Sequence, residues 1–450
     1  MEVLMLVIFF ALLATAYFFG KRDLLSPWFL LCLAMLTSYF IVLLNYKNWE
    51  VKINSTFVLY ITTALVSFGV GALVVKKFAP NKLATETISE RLSLKKELPS
   101  RHYPELFFIV VSVMAAGLYC FKLLSDVGGS GSMSERIRHI YDSVVGGYSP
   151  GFVFNQCLEL LVAIAYINTY RLFQEIYSRA RAISIVNLLI PVFIFIIAVM
   201  ISSDRNIFLR YAIYFICLFI LFFRENTKKK NINKSIIFKV SLLLLLLVII
   251  FFLLGKSKQY SSGILKSLSI YGGSGLYDFN LWIADFDEPF LYGQSTFSTF
   301  IGVFNSIFGH LGLTLPDAQV NRFDAFIEYQ SSNGYVFSSN IYTALKPYVE
   351  DFGYFGVILF PFAIGMFYQK LYMRMRRSKY GYNWVLYCML IYPIVFFPIL
   401  EQLIRRFHLG FVYEFVWLTL VYYFVYGKIK GRKEASMVKQ STKRLDKGGA

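Results

Sequence analysis

Arginine sits in three short polar stretches between apolar runs: Ser202-Ser203-Asp204-Arg205-Asn206, Ser134-Glu135-Arg136-Ile137-Arg138-His139, and Glu401-Gln402-Leu403-Ile404-Arg405-Arg406-Phe407-His408. A guanidinium is permanently charged and presents its donors as a planar fork, so it pairs bidentately with phosphate and suits a diphosphate ligand. The competing reading is that these side chains snorkel to lipid headgroups. Arg205, wedged in a very short turn between two apolar runs, carries the ligand reading furthest. Groups able to take a proton from an incoming hydroxyl include Asp278, Asp285, Asp287, Glu350, Asp351 and Glu401, with His139, His310 and His408 competing. Asp278 follows a glycine-rich turn and Glu350 precedes an apolar run, so each has a local reason to be held still; a solvated loop carboxylate is the alternative. Lys346 and Tyr342 suit the binding of diphosphate or sugar better than nucleophilic attack. Asp285-Phe286-Asp287 is formally an Asp-x-Asp pair, but no partner set builds a Mg²⁺ or Mn²⁺ site around it, and no metal is expected.

The elements that must position these groups are apolar. The chain has 450 residues, 57% hydrophobic and 16% charged, too apolar for a fold that covers itself with polar surface. A net charge of +18 could suggest nucleic acid, but the Lys and Arg lie mainly in short links between apolar runs, where they report orientation instead. Cys32, Cys120, Cys157, Cys217 and Cys388 all fall inside apolar runs without metal-type spacing and read as small core residues. Ala14-Thr15-Ala16 mimics a signal-peptidase site, yet Glu2 and no basic residue precedes the run, so it reads as a first span.

Runs long enough to span a bilayer are Val3 to Phe19, Ser26 to Leu44, Thr56 to Val75, Pro104 to Leu123, Phe152 to Tyr170, Ile183 to Ile201, Ile207 to Phe223 and Ile236 to Gly255. Tyr354 to Tyr372, Tyr382 to Leu400 and Gly410 to Tyr426 follow, which makes about eleven spans. The basic residues concentrate in one alternate set of links, from Lys21-Arg22 to the tail after Lys428, so the N-terminus is expected outside and the C-terminus in the cytoplasm. The expected fold is all-α, a polytopic transmembrane bundle, organised as spans one to eight over residues 1–255, an outer loop over 256–353, three spans over 354–427 and a basic tail over 428–450. A loop of that length usually serves function. It is aromatic rather than hydrophilic, and Phe297, Phe300, Ile301, Phe304, Ile307 and Phe308 follow helical spacing, which predicts a short helix lying in the interface. Its aromatics, Tyr271 to Trp282 among them, read either as an interfacial belt or as a platform for stacking sugars. The chain carries no Walker-type loop and no internal repeat of the kind that marks many transporters.

Many spans, the Asp204-Arg205 turn, and a large loop running from Gly272-Gly-Ser-Gly-Leu-Tyr-Asp278 to Asn340-Ile-Tyr-Thr-Ala-Leu-Lys346-Pro-Tyr-Val-Glu350-Asp351 together resemble the O-antigen and capsule repeat-unit polymerases of the Wzy type. The chain is also similar in outline to O-antigen ligases and to multi-span C-fold glycosyltransferases. Arg136 and Gly147 match an Arg-to-Gly spacing of the family's outer loops, and Arg322 with Gly334 comes within one residue of it. The resemblance implies transfer of a growing glycan from undecaprenyl diphosphate to the terminal sugar of a new lipid-linked repeat unit, at the outer face of a bacterial inner membrane. It implies no cofactor and no nucleic acid, and as partners the lipid-linked oligosaccharides, membrane lipids, a chain-length regulator and a flippase. Arg205, Asp278, Glu350 and Arg405 are then the expected catalytic residues. Arg136, Arg138, His139, Arg322, Tyr342, Lys346, Arg406 and His408 are the expected substrate-binding residues. A flippase for the same ligand and a ligase with a different acceptor are the rival readings. Arg210 and Lys239, basic residues that fall within spans, are expected to snorkel or to line a lipid cavity.

Overall fold

The computed structural model describes residues 1–78, 105–178, 182–202, 204–226, 266, 269–316, 327–332, 334–378, 380–405 and 409–426. Among these, nine helices are long and apolar enough to cross a membrane: Glu2–Phe19, Pro27–Leu44, Ser55–Phe78, Glu105–Asp126, Phe152–Ser178, Ala182–Ser202, Arg205–Asn226, Lys346–Arg377 and Leu409–Tyr426. The protein is a membrane-embedded, polytopic helical chain. The expected span Ile236 to Gly255, with Lys239, lies outside the described residues, as does the tail from Lys428.

Two expectations are corrected. Tyr382 to Leu400 is not one span-length helix: a short apolar helix Tyr382–Val395, its hydrogen bonding interrupted at Ile391, gives way to turns to Ile399. Pro393 lacks the N–H that would continue the first helix, and its ring clashes with the carbonyl four residues back. The last part of the long loop is also already helical, since the helix that follows starts at Lys346, well before Tyr354. Its backbone breaks at Gly353 (φ 57°, ψ −140°), which sets a short stub, Lys346 to Phe352, apart from the span proper.

By contacts the chain forms two compact units, Met1–Leu98 with Gln259–Leu409 and Pro99–Lys258 with Gly410–Ala450. In the first unit the Ser55–Phe78 and Lys346–Arg377 helices pack backbone to backbone. A Cβ on Gly71 would stand 2.1 Å from the Phe362 carbonyl oxygen, and one on Gly365 2.2 Å from that of Phe68. Small residues of this kind allow the close approach that takes the place of a hydrophobic driving force in lipid.

The part of the long loop over residues 270–284 is built into the bundle rather than laid over it. A π-helical turn, Ile270–Ser274, leads into a helix Gly275–Ala284 that buries Leu276, Tyr277, Asp278, Phe279 and Asn280. Tyr277 stacks on Trp49 with ring centroids 5.7 Å apart and donates its hydroxyl to the Trp49 carbonyl at 2.8 Å. Asn280 accepts from the Asn54 backbone N–H at 3.0 Å and donates to the Lys52 carbonyl at 2.8 Å. Neither the belt nor the stacking platform therefore describes Tyr277 and Phe279, which are core residues. The predicted aromatic helix does form, as Ser298–Phe308, with Ile301 buried and Phe300, Ile307 and Phe308 exposed. An antiparallel hairpin, Ile327–Gln330 against Val336–Ser339, was not foreseen. Asn333-Gly334 between the strands is its sequence signal, and Gly334 takes the positive φ of 81° that such turns demand.

In the second unit Phe152–Ser178 packs against Glu105–Asp126, Ala182–Ser202 and Arg205–Asn226. The Glu105 carboxylate accepts from the Ser184 hydroxyl at 2.8 Å and from the Asn187 amide at 2.6 Å. Tyr214 donates to the Tyr166 carbonyl at 2.8 Å, and Thr169 and Tyr211 share a hydroxyl pair at 2.6 Å. Arg210 does not snorkel: it is buried and pairs with buried Glu414 at 2.8 Å. Glu159 shares the field of this pair, and pairing offsets the cost of burying charge among the spans.

Candidate functional site

Four of the expected residues, Glu350, Arg405, Tyr342 and Lys346, converge in the first unit. The stub of the long helix begins with Lys346-Pro347, a residue pair fitted to a first turn because proline's missing N–H is not needed there. Lys346 and Glu350 lie one turn apart, and their side chains form an ion pair at 2.6 Å. The Lys346 ammonium also lies 4.7 Å from the Tyr342 ring centroid and 5.4 Å from that of Trp282.

Two neighbouring carboxylates position the site by accepting from backbone. Asp351 takes the N–H groups of Ser295 (3.0 Å) and Thr296 (2.5 Å), which fixes the Tyr292–Phe297 turn onto the stub. Glu401 takes the N–H groups of Leu403 and Ile404 (2.9 Å each) and of Arg405 (2.7 Å), together with the Tyr348 hydroxyl at 3.1 Å. Both carboxylates are thereby committed to structure, and neither is spare for proton transfer.

What they position is Ser295, which sequence reasoning missed. Its buried hydroxyl donates to Glu350 at 2.5 Å and accepts from the Arg405 guanidinium at 2.7 Å, while Arg405 also donates to the Ser295 carbonyl at 3.2 Å. A hydroxyl thus stands between a carboxylate and a guanidinium, and an ammonium is bound to the carboxylate's other oxygen. This arrangement can draw a proton from an oxygen and stabilise negative charge beside it. No short motif announces Ser295: its partners lie 55 and 110 positions away in the chain.

Asp278 is elsewhere in the same unit, fully buried, and neither of its carboxyl oxygens makes a hydrogen bond among the described residues. Burial pushes its pKa up to about 8; the nearby Ser339 hydroxyl opposes the shift but falls short of a hydrogen bond. The group holds its proton at neutral pH and becomes a base only as the pH approaches that value.

The remaining candidates belong to the second unit or fall outside the described residues. Arg205 opens its helix, half-buried, beside Asp204, whose carboxylate caps that helix by accepting from Asn206 (2.9 Å) and Ile207 (3.1 Å). Arg136, Arg138 and His139 lie on the Met133–Val145 helix, started by a Ser132/Glu135 capping box. Capping by Ser132 holds the Glu135 carboxyl below its ordinary range. Arg136 donates to the Gly129 carbonyl at 3.2 Å, Arg138 faces Asp142 at 3.8 Å, and His139 is exposed. Arg322, Arg406 and His408 lie outside the described residues. Compared with known proteins, the chain matches no family model, no curated protein and no solved structure.

Proposed function

We propose that the protein polymerises lipid-linked oligosaccharide repeat units, moving the growing glycan from undecaprenyl diphosphate to the terminal sugar of a new unit at the outer face of a bacterial inner membrane. The observation that carries this reading is the Lys346–Glu350–Ser295–Arg405 cluster, held where the long loop enters a span. The acceptor hydroxyl takes the place of the Ser295 hydroxyl and gives its proton to Glu350. Its oxygen bonds the anomeric carbon of the donor, and the bond from that carbon to the diphosphate breaks with its electron pair going to the phosphate oxygen. Arg405 and Lys346 offset the charge that gathers there, a gain larger in the transition state than in the ground state. The N-terminus outside and the C-terminus in the cytoplasm complete the reading, on the distribution of basic links.

A flippase for the same lipid-linked ligand is the second reading, favoured by the Arg210–Glu414 pair inside the spans, where transporters place charge. One experiment separates them. The gene is deleted in its host, wild type, Glu350→Gln or Arg205→Ala is restored at matched membrane levels, and surface glycans are resolved by size. The polymerase reading requires a single repeat unit on deletion and no ladder from Glu350→Gln. Loss of even the single unit on deletion overturns it in favour of a flippase or a ligase.

A further inference from the structure

Next to the cationic cluster the first unit carries an open groove of about 300 Å³ lined by Leu281, Trp282, Asp285, Phe286, Glu288 and Ile327. It is built at the end of the Gly275–Ala284 helix, whose buried face anchors it through Tyr277 and Asn280. Trp282 and Phe286 stand half-exposed, with ring centroids 4.5 Å apart and planes inclined by 44°, while Asp285 and Glu288 are exposed at their edges. Tilted aromatic faces present a corner rather than a slot. The C–H face of a pyranose ring fits such a corner, with carboxylates beside it to accept from hydroxyl or amino groups. A volume at the small end of the usual range for ligand sites matches one or two sugar rings.

The position of the groove gives it a task. Trp282 is shared between the groove and the cluster, since the Lys346 ammonium lies 5.4 Å from its ring. Negative charge is stabilised on the Lys346 side of this indole, and two carboxylates repel it on the groove side. An anionic sugar is therefore disfavoured where a neutral or amino sugar is held.

Resting on the polymerase reading above, we propose that this groove is the subsite for the acceptor's terminal sugar, and that Asp285 and Glu288 make it select a neutral or amino sugar over a uronic acid. The full-length protein in lipid nanodiscs is titrated with three probes, a glucosamine trimer, its N-acetylated form and a galacturonic acid trimer, with binding read by calorimetry. The first two are expected to bind saturably, and the uronate roughly tenfold more weakly. Trp282→Ala weakens the first two by roughly tenfold. Asp285→Asn with Glu288→Gln, both at exposed positions, narrows the gap between glucosamine and galacturonate trimers. Equal binding of all three probes, no binding of any, or binding untouched by both variants overturns the proposal. The two readings fail separately. A full-length glycan ladder from Trp282→Ala, in a host where Glu350→Gln gives none, removes the subsite and leaves the polymerase. Saturable, Trp282-dependent binding in a protein whose deletion leaves the ladder intact removes the polymerase and leaves a sugar-binding groove.

Discussion

Replacing Asp278 by asparagine should alter how the stability of the fold responds to pH, and in one direction only. Asp278 is fully buried, and its pKa is raised from an ordinary 3.8 to about 8. A carboxyl with a raised folded pKa keeps its proton in the folded state when the unfolded chain has already released it. Between those two values the folded state binds more protons, so stability falls as pH rises. The loss approaches ~1.4 kcal/mol per pH unit in the middle of that window and levels off above about 8. From pH 6 to pH 8 the wild type should therefore lose roughly 2 kcal/mol through this one group. Asp278→Asn has nearly the same shape and no charge to bury. The gap between the two should be smallest below about pH 4, where the wild-type carboxyl is protonated both folded and unfolded, should already favour the variant by roughly 3 kcal/mol at pH 6, and should widen by about 2 kcal/mol more by pH 8. The assay is denaturant unfolding of both proteins in nanodiscs at the two pH values; other titrating groups contribute equally to both and cancel in the comparison. An unchanged gap between variant and wild type at pH 6 and pH 8 would refute the burial argument.

At the helix crossing, Gly365→Val drives a side chain into the Phe68 carbonyl and should destabilise the first unit by roughly 1–3 kcal/mol. Gly302→Ala, on a helix where an added Cβ meets nothing within 4 Å, should stabilise by about 0.5–1 kcal/mol. Thermal unfolding of both variants checks the contrast, and similar behaviour of the two would sink the close-packing account. In the second unit, Glu414→Ala removes the carboxylate paired with buried Arg210 and leaves Glu159 as an acidic group in its field, which should cost up to about 3–5 kcal/mol, visible as lost folded yield. The double change Arg210→Met with Glu414→Leu should recover most of that yield; failure to recover would mean that the pair does more than satisfy its own charges.

Much of the scaffold was legible in the sequence because apolar length is an additive, local property. Each run expected to span is found within a helix wherever it is described, except Tyr382 to Leu400, where Pro393 breaks the helix although the run is apolar enough. Helical spacing likewise located Ser298–Phe308. The site was legible only in part. Charge type singled out Glu350, Lys346 and Arg405, but not that Asp351 and Glu401 would be occupied by backbone donors, nor that Ser295 would stand at the centre. Those facts depend on contacts between segments far apart in the chain, to which composition and periodicity are blind. Burial of Asp278 escaped for the same reason: its short helix looks interfacial until the residues around Trp49 and Asn54 close over one face of it.

The break at Gly353 also sets a depth. Added side-chain atoms there would run into the Phe290 ring, 2.7 Å from where a Cβ would stand, and the positive φ already favours glycine. Beyond it, the stretch from Tyr354 to Arg377 is long enough to cross the ~30 Å hydrocarbon layer unaided. The stub bearing Lys346, Glu350 and Asp351 is therefore not needed for the crossing and stands beyond the residues that make it. Bilayer thickness then bears on where the stub sits. In a membrane several ångströms thicker the span must give up tilt or draw its stub into the hydrocarbon. Reconstituted in lipids of graded chain length, the protein would then hold its stub at graded heights.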